Sequence, residues 1–169
     1  VDLSEEIFAN LCSTKSAVAV VNGTAALHIA LKLAGARHNT EVITQALTFV
    51  ATANAITYNN ATPVFLDVNY ETMGLSPKSV LEFLEEFAVV RSNGTYNRTT
   101  GKQIVACVPM HTFGFPAQIL ELKEICDLWN ITLVEDAAEA LGSKFRNQNL
   151  GTFGEYGTFS FNGNKIVTC

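Results

Sequence analysis

Along this chain, short apolar runs without polar alternation are followed by longer stretches in which apolar residues recur every three or four positions. That change of period predicts buried strands separated by amphipathic helices. "AVAVVNG" (17–23) reads as a buried strand ending in a turn. "TAALHIALKLAGA" (24–36) follows as a helix with Gly35 near its C-cap. "EVITQ" (41–45) is a short strand, "LTFVATANAITYNN" (47–60) a second helical pattern, and "TPVFLDV" (62–68) is strand-like again. "SPKSVLEFLEEF" (76–87) starts cleanly, with Ser76 as N-cap and Pro77 at the first helical position. "QIVACVPMH" (103–111) is the next strand and "PAQILELKEICDLWN" (116–130) the next helix. "ITLVEDAAEAL" (131–141) reads as a strand running into a short helix, and "YGTFSF" (156–161) as a last strand. The polar stretch "RSNGTYNRTTGKQ" (91–103) is expected as an exposed loop or short hairpin. The acidic start "VDLSEEIFANLC" puts Leu3, Ile7, Phe8 and Leu11 on one face of an amphipathic helix.

Strands separated by helices of this length imply β-α-β crossovers. The expected fold is therefore α/β, a mainly parallel sheet with helices on both faces. Its ligand should lie beyond the carboxyl ends of the strands.

Composition narrows the function. The 169 residues are 48% apolar and 16% charged, enough for one folded body with a sizeable core. Net charge is −5 and the eleven Lys and Arg are scattered, which argues against a nucleic-acid partner. No apolar run approaches membrane-spanning length and no leader is apparent, so a cytoplasmic protein without a membrane partner is expected. Cys12, Cys107, Cys126 and Cys169 are widely spaced with no C-x-x-C pair; reduced thiols and no metal are the expectation. N-x-T sequons at Asn22, Asn60, Asn93, Asn97 and Asn130 are what Asn- and Thr-rich loops produce by chance.

Chemistry gathers at the predicted strand ends. In "NGTAAL", Gly23 permits a tight turn, and Thr24 with the following amides opens a helix. Such a start is either an ordinary capped helix or an anion site. No G-x-G-x-x-G or Walker sequence is present. In "LVEDAAEA", Glu135 and Asp136 end an apolar run, which is costly for carboxylates without partners. Asp136 is either a helix cap or the partner of a cationic ligand nitrogen; Glu139 either shares that pocket or is solvated. Lys165 lies among Asn162, Gly163 and Asn164 after Ser160. A lysine near a strand end is usually a surface residue, but its amine forms Schiff bases once its surroundings lower its pKa. Helix start, strand-end aspartate and late lysine together suit pyridoxal phosphate (PLP): phosphate at the helix N-terminus, ring nitrogen on Asp136, aldehyde on Lys165.

The motifs "NGTAALHIAL", "TFVATANAI", "ATPVFLDV", "PMHTFG", "EDAAEALGS" and "GTFGEYGTFSFNGNK" occur in this order. In that order the chain resembles the DegT/DnrJ/StrS family of PLP-dependent sugar-nucleotide aminotransferases over essentially its whole length. Some segments look most like the branch making 4-amino sugars for legionaminic-acid-type or bacillosamine-type glycans. The resemblance implies the large domain of an aspartate-aminotransferase-like, fold type I PLP enzyme. It implies Lys165 as the Schiff-base lysine and Asp136 as the partner of the pyridine nitrogen. It places Gly23, Thr24 and Ala25 in the phosphate-binding turn with Ser160, and Phe49 stacked on the ring. Glu139 falls beside the ring's phenolic oxygen. His111 lies in the family's HxxG segment, where a structural role is at least as well founded as a chemical one.

Family members in which histidine replaces the lysine are sugar dehydratases; here the lysine is present, so transamination is expected. Asn22 stands where serine is common. Members continue beyond the lysine into a Gly-rich segment, a further strand and a second small domain. Residues 1–169 are accordingly expected to be an N-terminal fragment, a partial PLP-binding large domain without the small domain. The implied activity moves an amino group, from glutamate, to a keto carbon, C4, of a nucleotide-linked deoxysugar in a homodimer. The alternatives are an inactive remnant that binds at most a cofactor or partner chain, and a sibling PLP enzyme with another acceptor.

Overall fold

The computed structural model describes residues 2–168. Ser76 fixes one helix start as the sequence predicts: its side chain accepts from the Ser79 amide, and Pro77 follows at the first helical position of α4 (Pro77–Phe87). Asn22 does the same for α2 (Gly23–Leu33), accepting from the Ala25 amide at 2.8 Å. This helix closes at Ala34, with Gly35 following at φ +95°. The remaining helices are α1 (Asp2–Cys12), α3 (Val50–Tyr58) and α5 (Ile119–Leu128).

The strands are β1 (Thr40–Gln45), β2 (Thr62–Leu66), β3 (Ala88–Arg91), β4 (Gly94–Asn97), β5 (Gln103–Val108), β6 (Thr132–Asp136), β7 (Lys144–Phe145), β8 (Gln148–Asn149) and β9 (Tyr156–Thr158). β7 and β8 form a separate hairpin; the other seven make one sheet. Five of these run parallel in the order β2-β1-β5-β6-β9. The first half of β5 instead pairs with antiparallel β4, which pairs with β3.

Adjacent residues of the central strands point into different layers, as the pleat requires. Ile43, Ile104, Cys107 and Leu133 pack with α4 and α5 on one face. Val42, Val105, Val108 and Val134 pack with α2 and α3 on the other. The mainly parallel sheet with helices on both faces is thus the fold the sequence predicts. Cys12, Cys107 and Cys126 are buried free thiols, and Cys169 lies outside the described residues. Among the described residues no helix is long and apolar enough to cross a membrane.

Four local readings change. Residues 17–22 form no strand: they pair with no described strand, and Val18 and Val21 are 79% and 90% exposed. An apolar run becomes a strand only where a neighbour completes the ladder. Residues 137–141 turn rather than form a helix. The Ala140 amide donates to Ala137 O and the Ser143 amide to Ala140 O, so the segment closes single i to i+3 turns instead of a helical ladder. Residues 91–103 take the short-hairpin form, β3 pairing with β4, but are less exposed than expected: β4 joins the sheet and buries Thr95 and Asn97, the latter donating to Glu41 Oε2. In α1 only part of the expected face is covered. Phe8 packs edge-on against Phe159 and Phe161, and Ala9 and Cys12 are buried, while Leu3, Ile7 and Leu11 are exposed.

Candidate functional site

From β1 the chain steps outward to β2, then returns past β1 to β5, β6 and β9, so the strand order reverses between β1 and β5. A crevice at the carboxyl ends of strands about such a reversal is where open α/β sheets hold ligands. Gln45, the last residue of β1, ties this point together. Its Oε1 accepts from the Leu75 and Met110 amides, and its Nε2 donates to Leu47 O and Met73 O. Sequence reasoning missed it, although a polar residue ending a wholly buried strand is itself a signal.

The two carboxylates ending β6 diverge. Glu135 is fully buried and accepts from His111 Nε2 at 2.9 Å and from the amides of Gly151, Phe153 and Gly154. His111 Nδ1 accepts from the Ala117 amide, so the imidazole carries its proton on Nε2 and is used on both sides. Glu135 and His111 therefore pin the 151–154 segment and the turn after β5; both are structural.

Asp136, 3% exposed, faces the other way. Its Oδ2 accepts from Thr52 Oγ1 at 2.7 Å and its Oδ1 from the Ala138 amide at 3.2 Å. Burial pushes its carboxyl above the ordinary value, while the Thr52 and Ala138 hydrogen bonds and the nearness of His111 and Lys165 oppose that rise. Thr52, in the first turn of α3, was missed in the sequence; a threonine in a helical pattern carries no signal of its own.

The Lys165 amine lies 3.0 Å from Glu139 Oε1 and 5.9 Å from the centre of the Phe49 ring. Glu139 Oε2 accepts from the Phe113 amide, so one carboxylate joins the lysine to the turn after β5. Phe49 is the N-cap residue of α3, three positions before Thr52, and its ring is largely exposed.

The start of α2 lies against the end of β9. A Cβ built on Gly23 would sit 3.0 Å from Ser160 Cβ, so a side chain there would press Ser160 away from the helix start. Asn22 engages the Ala25 amide through its side chain and the Ala26 amide through its backbone. The Gly23 and Thr24 amides have no protein acceptor among the described residues, and they open the positive end of α2 beside the Ser160 hydroxyl.

The expected residues thus fall into three groups at one end of the sheet: Gly23, Thr24 and Ala25 with Ser160; Asp136 with Thr52; Lys165 with Glu139 and Phe49. The first turn of α3 links the second group to the third. Of the expected phosphate-turn amides, that of Ala25 is already occupied by Asn22.

The model of the DegT/DnrJ/EryC1/StrS aminotransferase family matches residues 1–169. EpsN of Bacillus subtilis (strain 168), which bears the name of a pyridoxal phosphate-dependent aminotransferase, is 41% identical over 164 residues, 97% of this chain and 40% of that protein. GDP-perosamine synthase of Escherichia coli O157:H7 is 37% identical over 97% of this chain and 41% of its own length. Among solved structures, an aminotransferase from Psychrobacter cryohalolentis superimposes with a TM-score of 0.83 at 30% identity, over 97% of this chain and 38% of its own. The chain spans about 40% of the length of the curated relatives it matches.

Proposed function

This chain belongs to the DegT/DnrJ/EryC1/StrS aminotransferase family, and on that premise we propose that the whole protein is a PLP-dependent aminotransferase acting on a nucleotide-linked keto sugar. The observation that carries the proposal is the meeting, at one end of the sheet, of a lysine amine, a buried carboxylate and a helix start with unpartnered amides. These residues fit the cofactor: an anion site, an acceptor for a cationic ring nitrogen and an amine lie on three neighbouring segments. Residues 1–169 would then be part of the PLP-binding large domain.

When bound, PLP supplies an aldehyde that condenses with amines and a ring that takes up electrons. The chain's own residues divide the remaining work. The Gly23 and Thr24 amides and the Ser160 hydroxyl would hold the phosphate. Asp136, acceptor-only when ionised, would hold the ring nitrogen in its protonated form. The Phe49 ring would cover one face. Glu139 would lie near the phenolic oxygen and, by taking the Lys165 ammonium, holds that amine at the site. Lys165 would secure the aldehyde carbon and, once freed, is the base placed to carry a proton.

The finer reading rests on the family resemblance: C4 of a deoxysugar as acceptor, glutamate as donor, a homodimer as working form and surface-glycan biosynthesis as setting. Exposed Phe113 and Phe115, on the turn that Glu139 anchors, support a site finished by further protein. The test is to incubate the full-length protein with PLP, a nucleotide-linked 4-keto-6-deoxysugar and glutamate. Glutamate-dependent formation of the 4-amino sugar is expected. Amination at another carbon would overturn the regiochemistry, and failure with every keto sugar offered would overturn the substrate class.

A further inference from the structure

We infer that Thr52 is a positioning residue that holds Asp136 oriented, as an acceptor-only carboxylate, for the ligand cation; this rests on the PLP reading above. The geometry is one-directional. An ionised carboxylate can only accept, so the Thr52 hydroxyl must spend its proton on Asp136 Oδ2, 2.7 Å away. The Thr52 oxygen is left to accept, and Thr48 Oγ1 lies 3.1 Å from it on the same helix start. Both Thr52 and Asp136 are buried, so no water competes for this bond at low cost. A protonated Asp136 could also donate, so the contact with Thr52 would no longer have a single direction.

The placement on α3 adds to the effect. Thr52 lies in the first turn of the helix, after Phe49, so the carboxylate it grips meets the positive end of α3. The ionisable groups nearest the carboxylate come from other segments. His111 follows β5 and is committed to Glu135; Lys165 follows β9 and is paired with Glu139. Neither donates a hydrogen bond to Asp136, whose described donors are the Thr52 hydroxyl and the Ala138 amide. Thr52 is the only side chain among them, so it alone can be removed by substitution without touching the backbone.

Two readouts on the full-length protein test this. The first follows the Asp136 carboxyl carbon by 13C NMR against pH in PLP-free protein, assigned by its loss in Asp136→Asn. Thr52→Val and Thr52→Ala should raise its titration midpoint by about one to two pH units, the equivalent of one charge-assisted hydrogen bond, and Thr52→Ser should leave it near wild type. The second is PLP affinity, which should fall about tenfold or more in Val and Ala but not in Ser. A Val or Ala variant that titrates like wild type, or a Ser variant that shifts as far as Ala, overturns the inference. Should Val fail to fold, the Ala and Ser pair decides alone. Failure of wild type to take up PLP would defeat the functional proposal, while the titration would still judge Thr52.

Discussion

Asp136 is the residue at which stability and function are set against each other. Its carboxyl titrates above the ordinary value because burial penalises the charge. Between the unfolded and folded values, the folded protein binds more protons than the unfolded one, so stability falls as pH rises through that window. The cost is fully present above the folded value and vanishes below the ordinary carboxylate value. Asp136→Asn should therefore raise the melting temperature of the PLP-free protein at neutral pH, with the gain shrinking as pH falls through that window and absent below it. Thermal melts against pH check this; an equal gain at all pH values would mean that the charge is not the cause. Aminotransfer by the same variant should drop by orders of magnitude, because an amide does not hold a protonated ring nitrogen. Glu135 gives the opposite case. Replacing it with Gln turns an amide nitrogen either on the Phe153 and Gly154 N–H groups or on His111 and the Gly151 amide, which should destabilise by about 3–5 kcal/mol in denaturant titrations. The adjacent pair "ED" was legible as costly carboxylates needing partners. Which one supports the fold and which faces the crevice was not legible, because that depends on side-chain alternation at a strand end meeting distant segments.

At the level of elements, the helices and the parallel strands after the first followed from local pattern. Ser76 and Pro77 wrote the start of α4, and unbroken apolar runs wrote β5 and β6. What failed needed a partner. Residues 17–22 have strand composition but no described ladder, and 137–141 have helical composition but close single turns, Ala140 onto Ala137 and Ser143 onto Ala140. The short β9 depends on contacts that sequence does not reveal: a Cβ on Gly157 would lie 1.9 Å from Gly151 O. Gly157→Ala must push the 151–154 segment away from β9. It should cost about 1–3 kcal/mol or more, and it should weaken PLP binding through the displaced Ser160. A melting temperature unchanged from wild type would show that this segment yields freely.

For the whole molecule, exposed apolar residues gather on a few stretches. Leu3, Ile7 and Leu11 lie along α1, Val18 and Val21 precede α2, and Phe49, Phe113 and Phe115 flank the crevice, all exposed. Patches of this kind drive association. Residues 1–169 expressed alone should therefore self-associate and lack aminotransferase activity; a monodisperse monomer in light scattering would contradict this. The central claim is that Lys165 is the cofactor-bearing amine, and its most direct test is borohydride reduction of the PLP-loaded full-length protein followed by peptide mapping. The reduced pyridoxyl group is expected on Lys165, with the visible absorbance band lost in Lys165→Ala. Label on Lys144, or on no lysine of this segment, would contradict it.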